Sequence, residues 1–231
     1  MDNVQKEEKN ILVLLDSSDG YIIAGILNEL EKEFKCNFYG IVIKYKDDYD
    51  FWKSQKILKF KKLWYLPNSY NKKNGGDVSF LNKIEHELEI NLWKFVYYER
   101  FFYKYNPYHK FPHNEILSIL GNTIKLFQTA IKESNPNFVL ALIADSWYDA
   151  LFIKMIENQD IKKYIFNLSR FYNQTWFSND INGDSIISIT NSHTREKINL
   201  QELRNELNVI VKRGFEINAK KESIIYKFKI A

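Results

Sequence analysis

Cysteine is nearly missing from this sequence of 231 residues, and Cys36, its one cysteine, cannot form a disulfide within the chain. One thiol and four scattered histidines also cannot supply the usual ligands of a structural zinc site. The sequence therefore predicts a protein of a reducing, cytoplasmic compartment.

Long apolar runs and a large excess of one charge are missing as well. No segment approaches transmembrane length, and the apolar run that follows the polar residues 1–10 is too short for a signal peptide. The 33 basic and 29 acidic residues give a net charge of +4, far from the excess typical of a dedicated nucleic-acid binder. With 45% hydrophobic residues, the composition instead predicts an ordered globular chain without a nucleic-acid partner.

Glycine-rich phosphate loops are also lacking. Asp16–Gly20 follows the first apolar run, but it matches neither the glycine pattern of dinucleotide-binding folds nor a P-loop. This absence argues against NAD-linked and P-loop ATPase chemistry.

The sequence does contain a regular alternation of short apolar runs and amphipathic segments. This pattern predicts an α/β protein, a three-layer Rossmann-like domain with a mainly parallel sheet. The expected strands are Ile11–Leu15, Phe38–Ile43, Lys62–Leu66, Phe138–Ile143 and Lys163–Phe166, and the expected helices are Ile22–Phe34, Asp47–Lys56, Phe80–Tyr103, Asn114–Asn135 and Tyr148–Ile156.

Three regions are expected along the chain. Residues 1–9 form a polar tail and residues 10–184 form the Rossmann-like domain. Residues 185–231 form a C-terminal extension, or the start of a linker, with a helix at Leu200–Val211 and a strand at Ile224–Ile230.

In such folds, ligands bind beyond the carboxyl ends of the strands. The loop of Asp16, Ser17, Ser18, Asp19 and Gly20 follows the first strand, where helix amides can hold an anion or sugar hydroxyls. Capping of the helix by Ser18 or Asp19 needs no ligand, and it is compatible with ligand contact.

Asp145 and Ser146 follow the most apolar strand and are expected at the same edge of the sheet. A carboxylate there suits a general base or a hydroxyl-binding group, and the alternative is again a helix cap. Arg170, after the next strand, can pair with a phosphate or carboxylate, or with a surface acid.

Glu99 and Arg100 lie in Trp93–Tyr108, the most aromatic stretch of the chain. Aromatic rings with an acid and a guanidinium suit sugar recognition, although packing under a long loop uses the same residues. The four histidines show no metal-ligand spacing.

The short pattern Asp48-Tyr49-Asp50 resembles the metal-binding motif of GT-A glycosyltransferases. Helix capping by Asp47, Asp48 and Asp50 is the preferred interpretation.

Phe51–Gly76 contains seven lysines and no acidic residue, interleaved with aromatic residues. A solvated lysine face over buried aromatics explains this composition. Peripheral contact with an anionic membrane is the functional alternative.

Several of these segments together resemble a known family. Asn91–Tyr108, the helix with Glu115–Leu117, Phe138–Asp145 and Ser169–Phe171 are similar in pattern to the N-terminal half of surface or capsular polysaccharide glycosyltransferases of the GT-B kind, found in bacteria and archaea. The resemblance spans residues 10 to 180 and includes no diagnostic catalytic motif.

The resemblance implies a metal-independent glycosyltransferase with two Rossmann-like domains, of which this chain is the one that binds a carbohydrate or lipid-linked acceptor. The nucleotide-sugar donor would be bound by a second domain or a separate chain, and no other cofactor is expected. On this reading Asp19 or Asp145 deprotonates the acceptor hydroxyl, while Asp16, Ser17, Ser18, Gly20, Arg100, Ser146 and Arg170 bind substrate. The alternative is a Rossmann-like binding or scaffold protein without catalysis, peripheral to the membrane.

Overall fold

The computed structural model describes residues 8–15, 20–70, 76–97, 99, 102, 109–142, 146–168, 175–180 and 185–187. Six strands form one sheet in the order β3-β2-β1-β4-β5-β6, where β1 is Lys9–Leu15, β2 Cys36–Val42, β3 Phe60–Tyr65, β4 Phe138–Leu142, β5 Lys162–Leu168 and β6 Thr175–Ser178. The helices of the described residues are α1 Gly20–Glu33, α2 Lys46–Ser54, α3 Pro67–Tyr70, α4 Val78–Leu88, α5 Leu92–Tyr97, α6 His113–Ser134 and α7 Trp147–Met155.

The sheet is mainly parallel, as the sequence predicts. Strand β1 pairs in parallel with β2 and β4, β2 pairs in parallel with β3, and β4 with β5. The three-layer, Rossmann-like α/β fold class is therefore confirmed.

Alternate residues of β1 face two different hydrophobic layers. Ile11, Val13 and Leu15 pack with residues of α1 and α2, whereas Leu12 and Leu14 pack with residues of α4 to α7. Burial on both faces explains why the strand is a continuous apolar run without polar alternation.

A network of asparagine side chains joins the strands at the amino edge of the sheet. The Nδ2 of Asn10 donates to the carbonyl of Ser134 at 2.9 Å, and its Oδ1 accepts from Asn37 Nδ2 at 2.9 Å. The backbone N–H of Asn10 donates to Asn137 Oδ1 at 2.9 Å. These bonds connect β1, the start of β2, the end of α6 and the segment before β4.

The helix predicted over Phe80–Tyr103 is wrong in one respect, because the structure has two helices there. Glu89 adopts a left-handed conformation with φ of 52° and ends α4. The side chain of Asn91 then accepts from the N–H of Trp93 at 2.9 Å, and α5 begins. The apolar spacing continues across the break, which is why the pattern alone does not reveal it.

The prediction that Asp47, Asp48 and Asp50 cap α2 is wrong. The N-cap of α2 is Tyr45, which makes no side-chain capping bond, and Asp47 and Asp48 lie inside the first turn. After β3, Pro67–Tyr70 forms the short helix α3. Proline favours the first position of a helix, where its missing N–H costs nothing.

The chain divides into two compact units, Met1–Asn167 with Phe177–Ile186, and Leu168–Trp176 with Ile187–Ala231. The site described below lies in the first unit. The helix at 200–211 and the strand at 224–230 lie outside the described residues and stay predictions. Among the described residues, no helix has the length and apolar character needed to cross a membrane.

Candidate functional site at the carboxyl edge of the sheet

The order in which successive strands join the sheet reverses between β1 and β4. From β1 the chain passes through α1 to β2 on one side, and it later returns to β4 on the other side of β1. Open α/β sheets bind ligands at such a switch point, beyond the carboxyl ends of the strands. Residues 16–19 connect β1 to α1 and residues 143–145 connect β4 to α7, so both connections start at this point.

Most of the predicted site residues fall in segments outside the described part of the chain. These are Asp16, Ser17, Ser18, Asp19, Arg100, Asp145 and Arg170, whose roles stay predictions. Gly20 is the first residue of α1, and Ser146 directly precedes α7.

Ser146 occupies the N-cap position of α7 without capping it through its side chain. Its backbone is extended, with φ of −132° and ψ of 160°. Its hydroxyl donates to Oδ2 of Asp149, and the Asp149 side chain is buried, with 7% of the residue exposed. The serine therefore orients a carboxylate in the first turn of the helix, where the helix dipole favours a negative charge.

Glu99 provides the helix amide with the acceptor that Ser146 does not. Its Oε2 accepts from the backbone N–H of Trp147 at 3.0 Å, across 48 residues of sequence. Two carboxylates, Glu99 and Asp149, thus flank the start of α7, directly beyond the carboxyl end of β4.

Tyrosine side chains lie close to these acids. Burial raises the pKa of Tyr70 well above its usual range. Electrostatic interactions with Tyr148, Glu99 and Tyr65 raise this pKa further. Tyr70, in α3 after β3, is therefore near Tyr148 of α7 and near Glu99. Its hydroxyl stays protonated at neutral pH and is able to donate a hydrogen bond.

The floor of this region is aromatic. The rings of Phe102 and Trp147 lie 5.8 Å apart, and Phe111 meets Phe102 edge-on at 5.4 Å. Phe102 and Trp147 are both buried. We define the carboxyl-edge cluster by its polar and aromatic members, Tyr70, Glu99, Ser146, Trp147, Tyr148 and Asp149.

The described residues show no group of three or more His, Cys, Asp or Glu side chains that could hold a metal ion. In the Asp48-Tyr49-Asp50 pattern, Asp50 forms an ion pair with Lys46 one turn earlier on α2. His109 pairs with Glu115 at 2.9 Å, and His113 stacks near Trp93 with ring centres 4.6 Å apart. Asp50, His109 and His113 thus each contact another side chain of the fold.

The sequence predicts functional roles for Glu99 and Ser146 but not for Tyr70, Tyr148 or Asp149. The spacing Ser146-x-x-Asp149 resembles a capping box and was a usable signal. Tyr70 gave no such signal, because its neighbours Glu99 and Tyr148 are distant in the sequence.

No protein-family model, no curated protein and no solved structure matches this chain.

Proposed function

We propose that this chain is the acceptor-binding domain of a metal-independent glycosyltransferase that acts in the cytoplasm in surface polysaccharide biosynthesis. The acceptor, a carbohydrate or a lipid-linked sugar, binds at the carboxyl edge of the sheet. A second domain or chain binds the nucleotide-sugar donor.

The observation that carries this proposal is the carboxyl-edge cluster. The carboxylates of Glu99 and Asp149 lie at the start of α7, bonded to the Trp147 amide and the Ser146 hydroxyl, and the protonated hydroxyl of Tyr70 belongs to the same cluster. Sugars present hydroxyls that donate to carboxylates and accept from phenols, and they present C–H faces that pack on aromatic rings. The composition of the cluster therefore supports a carbohydrate better than it supports a phosphate-rich ligand.

Transfer is a displacement at the anomeric carbon of the donor sugar. The bond from the acceptor oxygen to that carbon forms as the bond from the carbon to the phosphate oxygen of the nucleotide breaks. A carboxylate takes the proton of the acceptor hydroxyl, and we assign this role to Asp145 or Asp19. Chain connectivity supports both, since each lies in a connection that begins at the switch point between β1 and β4.

The function is tested by transfer of label from a panel of radiolabelled nucleotide-sugars, with cell membranes as the source of acceptor and of the donor-binding partner. We expect incorporation that depends on this chain and persists with EDTA. Asp19→Asn or Asp145→Asn should lower the rate by about 100-fold or more, because a positioned base contributes roughly that much.

Asp160→Asn is the matched control for these variants. Asp160 is an exposed acid just before β5, at the opposite edge of the sheet, so this change should leave the rate unaltered. Wild-type rates in both Asp19→Asn and Asp145→Asn would contradict the assigned base, and the absence of any chain-dependent transfer would favour a binding protein without catalysis.

A further inference from the structure

A basic concavity lies between the C-terminal end of α2 and the amino half of β3. Its volume is about 370 Å³, and its lining includes Lys53, Lys56, Lys59, Lys61 and Lys62 but no acidic residue. Aromatic rings of Tyr49, Trp52 and Phe60 form part of the same wall. The concavity is separate from the carboxyl-edge cluster, since it lies where β3 begins and not where it ends.

The lysines of this concavity differ in their pairing. Lys62 forms an ion pair with Glu133, and the Nζ of Lys61 lies 4.0 Å from Glu8. Among the described residues, Lys53, Lys56 and Lys59 have no acidic partner. Three cationic side chains are therefore available to an anionic surface.

Hydrogen bonds of the Gln55 side chain order the loop between α2 and β3. Gln55 accepts from the N–H groups of Ile57 at 2.7 Å and Leu58 at 3.0 Å, and its Nε2 donates to the carbonyl of Leu58 at 2.7 Å. Leu58 is buried beneath the loop, whereas Ile57 is 61% exposed at its tip. The fold thus presents a large apolar side chain between Lys56 and Lys59.

We propose that this surface docks the chain on an anionic lipid bilayer, with the three unpaired lysines at the headgroup phosphates and Ile57 in the interface. Lysines flanking an exposed apolar residue combine the two attractions that membrane-surface segments use. Because Gln55 orders the loop in advance, insertion costs little additional conformational entropy. A soluble phosphate would bind the lysines, but it would not explain why the apolar side chain of Ile57 is exposed beside them.

Protection of an edge strand is the competing explanation for lysines in this region. Lysines on an edge strand discourage pairing with another chain, and β3 is an edge of the sheet. That explanation covers Lys61 and Lys62, which lie within β3, but it does not cover Lys53 in α2 or Lys56 in the loop.

The test is co-sedimentation of the full chain with phosphatidylcholine vesicles, with and without phosphatidylserine. We expect binding only to the anionic vesicles, weakened by high salt because exposed charges are screened. A variant with Lys53→Gln, Lys56→Gln and Lys59→Gln should bind about 100-fold more weakly, at about fivefold for each lysine. Ile57→Ser should weaken binding about tenfold and leave the salt dependence in place.

The matched control is a variant with Lys94→Gln, Lys110→Gln and Lys132→Gln. It changes the net charge equally, at exposed lysines on other parts of the chain, and it should bind as the wild type does. Equal loss in both triple variants, unchanged binding of the first, or no binding to the anionic vesicles would overturn the proposal. Release of the chain from vesicles by dilute inorganic diphosphate would also overturn it, in favour of a soluble-phosphate site. Thermal unfolding of each variant verifies that the fold is retained.

Discussion

Tyr70 illustrates how the fold changes the chemistry of a single side chain. It lies in α3, packed against the core that covers one face of the sheet. Burial is the main cause of its raised pKa, and Tyr148, Glu99 and Tyr65 contribute in the same direction. The phenol is therefore kept as a neutral donor at the carboxyl edge.

This environment predicts a pH dependence of stability. A pKa that is higher in the folded than in the unfolded state means that the protonated tyrosine stabilises the fold below the unfolded value of about 10. That contribution is lost as the pH rises above about 10. In Tyr70→Phe, the free energy of unfolding should fall less steeply over this alkaline range, as measured by urea denaturation.

Tyr97→Phe is the matched control, because Tyr97 is 70% exposed. It should show the wild-type pH dependence. A wild-type slope in Tyr70→Phe as well would contradict the description of Tyr70 as a buried phenol.

The residues of the carboxyl-edge cluster were only partly predictable. Ser146 follows from its place after an apolar strand, since strand-to-helix connections collect at one edge of a parallel sheet. The bond from the Trp147 amide to Glu99 joins residues 48 positions apart and depends on how α5 packs near α7. No local pattern encodes such a pairing.

The packing of β2 against its neighbours depends on Gly40. A Cβ built there would lie 2.7 Å from Cδ2 of Leu63 and 2.8 Å from Cδ1 of Leu15. Leu15 is almost fully buried, so it cannot move aside without disturbing the layer formed with α1 and α2.

We therefore expect Gly40→Ala to destabilise the fold by about 1–3 kcal/mol through overpacking. Gly25→Ala provides the matched control in α1, where a Cβ would meet nothing within 4 Å. Alanine is the better helix former, so Gly25→Ala should stabilise by about 0.5–1 kcal/mol. Chemical denaturation compares the two, and a stabilised Gly40→Ala variant would refute this account of the packing.

The sequence predicts the helices and strands themselves more accurately than it predicts where they end. Apolar runs identified β1, β2 and β4, because strands buried on both faces need no polar residues. The sequence does not predict the division between α4 and α5, because Glu89 adopts a left-handed conformation that favours glycine and a glutamate carries no signal for it.

The two proposed surfaces lie at different parts of the sheet. The carboxyl-edge cluster lies beyond the ends of β3 and β4, and the basic concavity lies beside the start of β3. Membrane docking at one surface would leave the other accessible to a lipid-linked or soluble acceptor.

If a carbohydrate binds at the carboxyl edge, amide chemical-shift mapping should detect it there. The ligands are the methyl glycosides of glucose, galactose, mannose and N-acetylglucosamine. At least one glycoside should shift the amide signals of Gly20, Tyr70, Glu99 and Ser146 while leaving those of Lys53 and Lys56 unchanged.

Glu99→Gln should weaken this binding about tenfold through loss of a charged acceptor. Glu87→Gln, which changes an exposed residue on α4, should not weaken it. Shifts confined to other surfaces, or no shifts with any glycoside, would show that the carboxyl edge does not bind these sugars.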